Sequence, residues 1–306
     1  MATLKTSYDK IVNVSQIGER VKANFNDGLM ESALTEKLAP NNQDSVKRLL
    51  LCIDVQNDFI EGGSLPVSGS IGDVERITRF IYNNMNGITD IMCSMDTHYP
   101  FHIFFPSWWK NSDGDSPDPY TIITYDDVSR GVWRPVYGNL ADSLTYLQKL
   151  EEQAKKNLCI WTYHCLHGTE GFELESQFSK MVYFHATARK TIPRIIHKGT
   201  DFYSEMYGII RAEYSKKNLK NTRVLNAFQE YDEIYVVGEA ASHCLLESVK
   251  QIAEEYATRP EITSKITILE DCTSPISGYE QLTRDAFDMF KRTYGIKFAK
   301  STDINF

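Results

Sequence analysis

The sequence predicts an α/β fold in which helices cover both faces of a mostly parallel sheet, giving a three-layer, doubly wound structure. First, apolar runs of strand length alternate along the chain with amphipathic stretches of helix length. Second, the runs are continuous in Val, Ile and Leu, which is typical of strands buried on both faces. Third, polar residues capable of chemistry stand at the ends of several runs, at the sheet edge where such folds bind ligands.

The predicted elements follow one another in the order that this fold requires. The apolar runs predict strands at 48–55, 87–95, 158–161, 191–198, 233–240 and 265–272. The amphipathic stretches predict helices at 71–85, 141–157, 222–231, 243–257 and 279–295. The chain shows no internal repeat, so a single sheet is expected rather than a repeat array.

Two segments fall outside this alternation. Residues 1–45 are polar and weakly helical, and we predict an N-terminal extension before one domain at 46–306. Residues 103–140 are rich in Pro, Gly, Asp and aromatic residues and form a long insertion in that domain. Because a loop longer than about 15 residues is usually functional, the insertion predicts a lid over the site or a contact between copies of the chain in a homo-oligomer.

Composition excludes several classes of protein. The chain has 306 residues, 42% hydrophobic and 24% charged, with a formal net charge of −8 and no block rich in Lys or Arg. Nucleic acid and anionic membranes therefore have no matching surface. No apolar stretch approaches the roughly 20 residues that span a bilayer, and the first 20 residues lack the apolar core of a signal peptide. We expect a soluble, cytoplasmic protein.

Three chemically reactive residues stand at or just after predicted strand ends. Cys244 opens a predicted helix, where the helix dipole favours a thiolate. Asp54 is the candidate general base and acid, and Lys198 is a cation that would hold both groups. The alternatives are a buried structural cysteine, an aspartate that caps a turn and a solvated surface lysine. None of the other five cysteines has disulfide or zinc-finger spacing.

A second group has the residue types of a catalytic metal site. Asp96 and His98 are two apart, so an extended segment points both to one side. His164 completes a set of three ligands, which leaves positions open for water or substrate. His102 is a further candidate ligand. The set suits a divalent metal, zinc first and iron or manganese as alternatives, whereas the structural alternative is a set of hydrogen-bonded histidines.

Six motifs resemble those of the nicotinamidases in the isochorismatase-like cysteine hydrolase superfamily. They occur in the family's order and span roughly residues 48 to 297. The motifs are DVQNDF (54–59), DTHYPFH (96–102), WTYHCLHGTEG (161–171), KGTDFYS (198–204), GEAASHC (238–244) and LEDCTSPISGY (269–279).

The resemblance implies the isochorismatase-like hydrolase fold and the hydrolysis of nicotinamide to nicotinate and ammonia through a thioester. The metal would bind the pyridine nitrogen, and the thiolate would attack the carboxamide carbon. The family's oxyanion hole maps to the backbone N–H groups of Ala240 and Cys244, and its cis peptide maps to Glu239–Ala240. Its substrate contacts map to Phe59 and Trp161.

Some residues depart from the family's pattern. Relatives commonly have Thr-Asp where this chain has Ala241 and Ser242, and a small apolar residue where it has Glu239. Glu239 would thus place an acidic side chain beside the carboxamide. Tyr203 is a further predicted substrate contact, although it does not stand at the family's aromatic spacing.

Two alternative functions remain open from the sequence. One is a related amidohydrolase that acts on a carbamoyl or ureido amide, but such relatives use Asp, Lys and Cys without a metal. The other is a repurposed scaffold that binds a metabolite or a partner, which the intact Asp54, Lys198 and Cys244 oppose.

Overall fold

A six-stranded parallel sheet forms the centre of the molecule. The computed structural model describes residues 4–306, and the strands of the sheet are β1 (Arg48–Ile53), β2 (Asp90–Asp96), β3 (Arg194–Lys198), β4 (Glu233–Gly238), β5 (Ile266–Leu269) and β6 (Lys297–Ala299). Their order across the sheet is β6-β5-β4-β1-β2-β3, and all five pairings are parallel. The crossovers run outward in both directions from β1, so the doubly wound prediction is confirmed.

Helices cover both faces of this sheet. They are α1 (Leu29–Thr35), α2 (Ser70–Asn83), α3 (Leu140–Lys149), α4 (Ser176–Arg189), α5 (Thr222–Gln229), α6 (Cys244–Glu255) and α7 (Glu280–Tyr294). Short helices lie at Tyr8–Ile11, Tyr125–Ser129 and Pro260–Thr263, and a wider helical turn at Leu150–Ala154 continues α3. Single 3-10 turns occur at Val14–Gln16, Asn41–Gln43, Asn57–Phe59, Pro106–Trp108, Glu170–Phe172, Glu270–Cys272 and Ser301–Asp303.

Alternate residues of each strand enter two separate cores. In β1, Leu50 and Cys52 pack against α2 and α4, whereas Leu49 and Leu51 pack against α5, α6 and α7. Strand side chains alternate between the faces, and both faces of β1 are apolar, because helices bury both. This explains why its sequence reads as an unbroken apolar run.

Two predicted features differ from the structure. Leu158–Cys159 does not join the central sheet but pairs antiparallel with Ile122–Ile123 inside the insertion. Its apolar side chains fill the core of the insertion, and the sixth strand of the sheet is β6, near the end of the chain. The sequence prediction also omitted α4, whose apolar residues lie around most of its circumference and give no clear one-sided pattern.

The described part of the N-terminal extension packs on the face formed by α2 and α4. Tyr8, Ile11 and Ala33 are buried in that core. The Arg189 guanidinium, which is fully buried, holds Asp44 at 2.5 Å and the carbonyl of Ala39 at 2.6 Å. The boundary of the extension at residue 45 stays a prediction.

The insertion builds a small apolar core of its own beside the carboxyl ends of the central strands. Its first part contributes Phe104, Phe105, Trp108 and Trp109, all buried, and these pack against α3. The two-stranded pairing of Trp109–Lys110 with Arg134–Pro135 closes the segment. Among residues 4–306, no helix has both the length and the apolar content needed to cross a membrane.

Candidate active site

The three predicted reactive residues meet at the carboxyl edge of the sheet. Asp54 follows β1 directly, Lys198 is the last residue of β3 and Cys244 is the first residue of α6, after β4. The backbone of Asp54 turns out of the strand with a φ of +45°, which Asp tolerates better than most residues. The parallel order of the strands therefore brings together residues that are 190 positions apart.

Lys198 lies at the centre of this group. Its Nζ is 2.9 Å from Asp54 Oδ2, 3.1 Å from Asp96 Oδ1 and 3.6 Å from Cys244 Sγ. The Lys198 side chain is fully buried, so a solvated surface lysine does not describe it. One ammonium group thus contacts the candidate base, the candidate nucleophile and a candidate metal ligand.

Sequence reasoning missed the support for Asp54. Ser94, in the middle of β2, donates from Oγ to Asp54 Oδ1 at 2.6 Å, and the Asp54 N–H donates back to Ser94 Oγ at 3.0 Å. Ser94 is fully buried in an otherwise apolar strand. A polar residue inside such a run was the signal in the sequence that could have identified it.

Burial dominates the electrostatics of the three groups. It raises the pKa of Asp54, an effect that Lys198 opposes and Asp96 reinforces. It also raises the pKa of the Cys244 thiol well above its usual value, again against the effect of Lys198. Burial alone would lower the pKa of Lys198, but Asp54 and Asp96 outweigh it and raise that pKa. The sulfur therefore keeps its proton at rest, and Asp54 is a stronger base than an exposed carboxylate.

The second group, Asp96, His98 and His164, can hold a metal ion. One ligand atom from each lies within 4.8 Å of the others, and all three residues are buried. Asp96 Oδ2 is 3.1 Å from His98 Nε2 and 3.9 Å from His164 Nε2. Burial and then His98 lower the pKa of His164 to about 4, so its ring is neutral.

The other ring nitrogens fix which atom faces the carboxylate. His98 Nδ1 is 3.1 Å from the carbonyl of Gly199, and His164 Nδ1 is 2.8 Å from the carbonyl of Thr162. A carbonyl only accepts, so each Nδ1 carries a proton and each Nε2 is the ring atom that faces Asp96. Three acceptors directed at one point fit a cation, and the carbonyls supply the usual outer support of metal-bound histidines.

His102 lies next to this group but outside it. Its ring is fully buried, with its centre 5.1 Å from that of His98. Neither of its ring nitrogens has a hydrogen-bond partner within residues 4–306. Burial and His98 lower its pKa to about 3, so the ring is neutral. A role for His102 as a ligand, directly or through water, stays a prediction.

A pocket of about 520 Å³ adjoins both groups. Phe59 and Trp161, the predicted substrate contacts, both line this pocket. The full set of lining residues is Phe59, Leu65, Val67, Asp96, His98, Phe104, Trp161, His164, Glu205, Met206, Tyr207, Ala240, His243, Cys244 and Ile276. Its mainly apolar wall with a few convergent polar groups is typical of a small-molecule site. Within the insertion at 103–140, only Phe104 is part of this lining.

Tyr203 is not part of the pocket. Its ring packs edge-on against Trp108 with centres 5.0 Å apart, and its hydroxyl accepts from the Asn139 N–H at 3.3 Å. Tyr207 lines the pocket instead. The segment after β3 has no regular secondary structure, so spacing along the sequence did not tell which tyrosine faces inward.

Glu205 is a pocket residue that sequence reasoning missed. Its Oε1 accepts from the Tyr207 hydroxyl at 2.6 Å and from Trp161 Nε1 at 3.2 Å, and its Oε2 accepts from the Tyr146 hydroxyl at 3.0 Å. Burial raises its pKa to about 7, although the hydrogen bond from Tyr207 acts in the opposite direction. Glu205 fixes two aromatic walls of the pocket and titrates near neutral pH.

The two predicted oxyanion donors lie at the turn between β4 and α6. The Glu239–Ala240 peptide bond is cis, as the resemblance implied. Within residues 4–306, neither the Ala240 N–H nor the Cys244 N–H donates to a backbone carbonyl of another loop or turn, whereas the Ala241 N–H donates to Ser274. Both N–H groups are thus available for a ligand at the amino end of a twelve-residue helix.

Glu239 does not project toward the pocket. Its side chain is buried near Asp73 of α2, and its Oε2 accepts from the Ser274 N–H at 3.5 Å. The acidic side chain expected beside the carboxamide is therefore absent from the described lining of the pocket.

Comparison with known proteins finds similarity to nicotinamidases, the proteins whose motifs this chain resembles. No protein-family model matches the chain. The nicotinamidase of Saccharomyces cerevisiae is 26% identical over 237 residues, which cover 75% of this chain and 89% of that protein. The resemblance predicted from the motifs is confirmed.

Solved structures share the fold. The Acinetobacter baumannii nicotinamidase–pyrazinamidase aligns with a TM-score of 0.56 and 20% identity, covering 85% of this chain and 99% of that one. The yeast nicotinamidase bound to the inhibitor nicotinaldehyde aligns with a TM-score of 0.57 and 21% identity, covering 83% and 99%. A nicotinate complex from L. infantum aligns with a TM-score of 0.53 and 17% identity, covering 85% and 95%.

Proposed function

We propose that the chain is a metal-dependent cysteine amidohydrolase that converts nicotinamide to nicotinate and ammonia through a thioester intermediate. The position of Lys198 Nζ carries the proposal. It lies 2.9 Å from Asp54 and 3.6 Å from Cys244, which makes a base–cation–nucleophile set, and 3.1 Å from Asp96 of the metal-binding group. Similarity to the yeast nicotinamidase supports the choice of substrate.

Asp96, His98 and His164 would hold a divalent cation, which we propose to be zinc. The two imidazole nitrogens and one carboxylate oxygen match a three-ligand zinc site with open positions. A bound zinc ion would supply a Lewis acid for the pyridine nitrogen of the substrate. Iron and manganese are the alternatives that this ligand set also accepts.

Acylation begins with a neutral thiol. Asp54 takes the proton from Cys244 as sulfur attacks the carboxamide carbon, and Lys198 stabilises the negative charge that moves between them. The carbonyl oxygen becomes an oxyanion and accepts hydrogen bonds from the N–H groups of Ala240 and Cys244. Each such donor typically stabilises the transition state by about 3 kcal/mol.

Collapse of the tetrahedral intermediate releases ammonia. Asp54, now a carboxylic acid, donates its proton to the amide nitrogen as the C–N bond breaks, leaving a thioester on Cys244. Asp54 then takes a proton from a water molecule, whose oxygen attacks the thioester carbon. The C–S bond breaks, nicotinic acid leaves and ionises to nicotinate, and Asp54 returns its proton to the Cys244 thiolate. One residue thus acts as base and acid in turn, which suits a carboxyl group whose pKa burial raises.

An ammonia-release assay over matched amides tests the substrate. Nicotinamide should be hydrolysed at least about a hundredfold faster than benzamide, because the loss of the ring-nitrogen contact misplaces the carboxamide relative to Cys244. Pyrazinamide keeps a ring nitrogen at the same position and should follow nicotinamide. Comparable rates on nicotinamide and benzamide would contradict metal selection of the ring. Activity confined to a carbamoyl or ureido amide would favour the alternative amidohydrolase, and no ammonia from any amide would favour the repurposed scaffold.

Metal analysis of the purified protein tests the cofactor separately. The protein should carry about one transition metal per chain, and His164→Ala should lose most of it. His185→Ala is the matched control, since His185 is also fully buried but hydrogen-bonds the carbonyl of Ile88 away from the site. Full occupancy in His164→Ala would remove that residue from the ligand set.

The cytoplasmic location and the homo-oligomer stay predictions. Cell fractionation tests the first, and sedimentation of the purified chain tests the second.

A further inference from the structure

A buried acidic pair lies behind the turn that carries Ala240. Glu239 and Asp73, in the first turn of α2, are each 1% exposed, and their carboxyl groups are close enough to influence each other's pKa. Arg76 donates to Asp73 Oδ1 at 2.6 Å. In the described chain, however, neither Asp73 Oδ2 nor Glu239 Oε1 has a donor. Each of two neighbouring buried carboxyl groups thus has an oxygen without a donor, and one proton held between the groups would satisfy both oxygens.

Among residues 4–306, the surroundings of the pair supply only one positive charge, that of Arg76. From α2 comes Arg76, whose side chain is 43% exposed. The turn Glu270–Cys272 contributes two groups. Burial raises the pKa of the Cys272 thiol, and the Asp271 carboxylate accepts hydrogen bonds from Ser301. One half-exposed guanidinium thus faces two buried carboxyl groups, which leaves one negative charge in excess unless a proton is present.

The same side chain is connected to the oxyanion turn. Glu239 Oε2 accepts from the Ser274 N–H at 3.5 Å, and the Ser274 carbonyl accepts from the Ala241 N–H at 2.9 Å. The backbone N–H of Glu239 donates to the Ile53 carbonyl of β1 at 2.8 Å. Side chain and backbone together fix the residue just before Ala240.

We propose that Glu239 is a positioning residue that stays protonated, donates to Asp73 and thereby holds the Ala240 N–H in place for the oxyanion. Its role in catalysis rests on the proposed amidohydrolase function, whereas the shared proton does not. Burial, reinforced by Asp73, raises the pKa of Glu239 well above its ordinary value of 4.5, in agreement with the geometry. The acidic residue that replaces the family's small apolar one is therefore neutral in the folded protein.

Steady-state kinetics of two variants tests the positioning role. Glu239→Ala should lower kcat about tenfold and leave KM within about twofold, because the oxyanion contact forms in the transition state. Glu239→Gln should restore most of the loss, since its amide can donate to Asp73 and accept from Ser274. An alanine variant with unchanged kcat, or a glutamine variant no better than alanine, would overturn the positioning role.

Unfolding as a function of pH tests the shared proton without any substrate. A carboxyl group whose folded pKa is raised stabilises the fold at low pH, and this stability is lost as pH rises above the unfolded pKa. Relative to Glu239→Gln, the unfolding constant of the wild type should increase as pH rises above the unfolded pKa of about 4.5, by up to about tenfold per pH unit. Glu270→Gln removes a nearby exposed carboxylate and should show no such trend.

A second variant keeps this test open if Glu239→Gln does not fold. Asp73→Asn can donate to an ionised Glu239, so it should remove the same pH dependence from the other side of the pair. Parallel pH profiles for the wild type and either variant would overturn the shared proton. A profile that differs as expected, in a protein that releases no ammonia from nicotinamide, would sustain the shared proton and contradict the proposed function instead.

Discussion

Replacement of Lys198 by methionine separates the two tasks of the buried cation. The variant keeps the length and apolar stem of the side chain and removes the ammonium group. Asp54 at 2.9 Å and Asp96 at 3.1 Å, both buried, then lose their shared partner. The Cys244 sulfur, 3.6 Å from the same nitrogen, loses the cation that stabilises its thiolate.

The expected loss of stability follows from the burial of the ion pairs. Removing one partner of a buried pair costs about 3–5 kcal/mol, because the other charge stays buried without compensation. Domains are stable by only about 5–15 kcal/mol, so this variant should remain folded but marginal. In a chain of this size the change corresponds to a decrease in Tm of roughly 10 °C. Turnover should decrease at least about a thousandfold, since both proton transfer and thiolate formation are affected.

Urea unfolding and ammonia release are measured at one pH and one fixed zinc concentration. The double variant Asp54→Asn with Lys198→Met should recover about half of the lost stability, since it removes one orphaned carboxylate, and it should recover no activity. Lys149→Met, which removes an exposed ion pair with Glu152, is the control and should leave both quantities nearly unchanged. Two results would refute the argument that buried charges lose their partner. One is a Lys198→Met protein as stable as the wild type, and the other is a double variant no more stable than Lys198→Met.

Three further predictions concern the pocket. Cys244→Ala should abolish turnover without changing metal content, and a pyridine nitrile should label Cys244 ahead of the other cysteines. Preferential labelling of Cys165, which is also buried beside the site, would contradict the assignment of Cys244 as the nucleophile. Glu205→Gln should remove a pH dependence of the unfolding free energy. A folded pKa of about 7 against an ordinary 4.5 costs the wild type about 2 kcal/mol of stability between pH 5 and 8. If urea titrations give the wild type and Glu205→Gln the same slope of unfolding free energy against pH, this reasoning is refuted. Phe104→Ala should raise KM several-fold, because Phe104 lines the pocket and packs edge-on against His98 with centres 4.9 Å apart; an unchanged KM would remove the insertion from substrate binding.

The central sheet could be predicted because its strands are buried on both faces. Each of β1, β2 and β4 is mostly apolar, and a parallel sheet between two helical layers accommodates such runs. The run at 158–161 has the same composition but fills the core of the insertion. An apolar composition indicates that a segment is buried, but it does not indicate in which core the segment lies. The strand with which such a segment pairs depends on contacts between residues distant in sequence.

The reactive residues could be predicted for a related reason. Asp54, Lys198 and Cys244 each follow an apolar run, and parallel strands place such ends at one edge of the sheet. The protonation states of these residues could not be predicted, because they depend on burial and on neighbours that only the fold brings together. The sequence suggested that the helix dipole and Lys198 favour a thiolate, whereas burial keeps the proton on sulfur and raises the pKa of the base as well.

The insertion is better understood as support for the pocket wall than as a lid. Helix α3, which follows it, carries Tyr146, whose hydroxyl donates to Glu205 and accepts from the Glu205 N–H at 3.1 Å. Glu205 in turn orients Trp161 and Tyr207, which line the pocket. A change in the insertion can therefore reach the substrate through a chain of buried hydrogen bonds, without any residue of 105–140 touching the pocket. This hydrogen-bond network joins segments about 60 residues apart, so no local sequence pattern could indicate it. The network also explains why a long polar and aromatic segment lies beside a site whose reactive groups belong entirely to the central sheet and its loops.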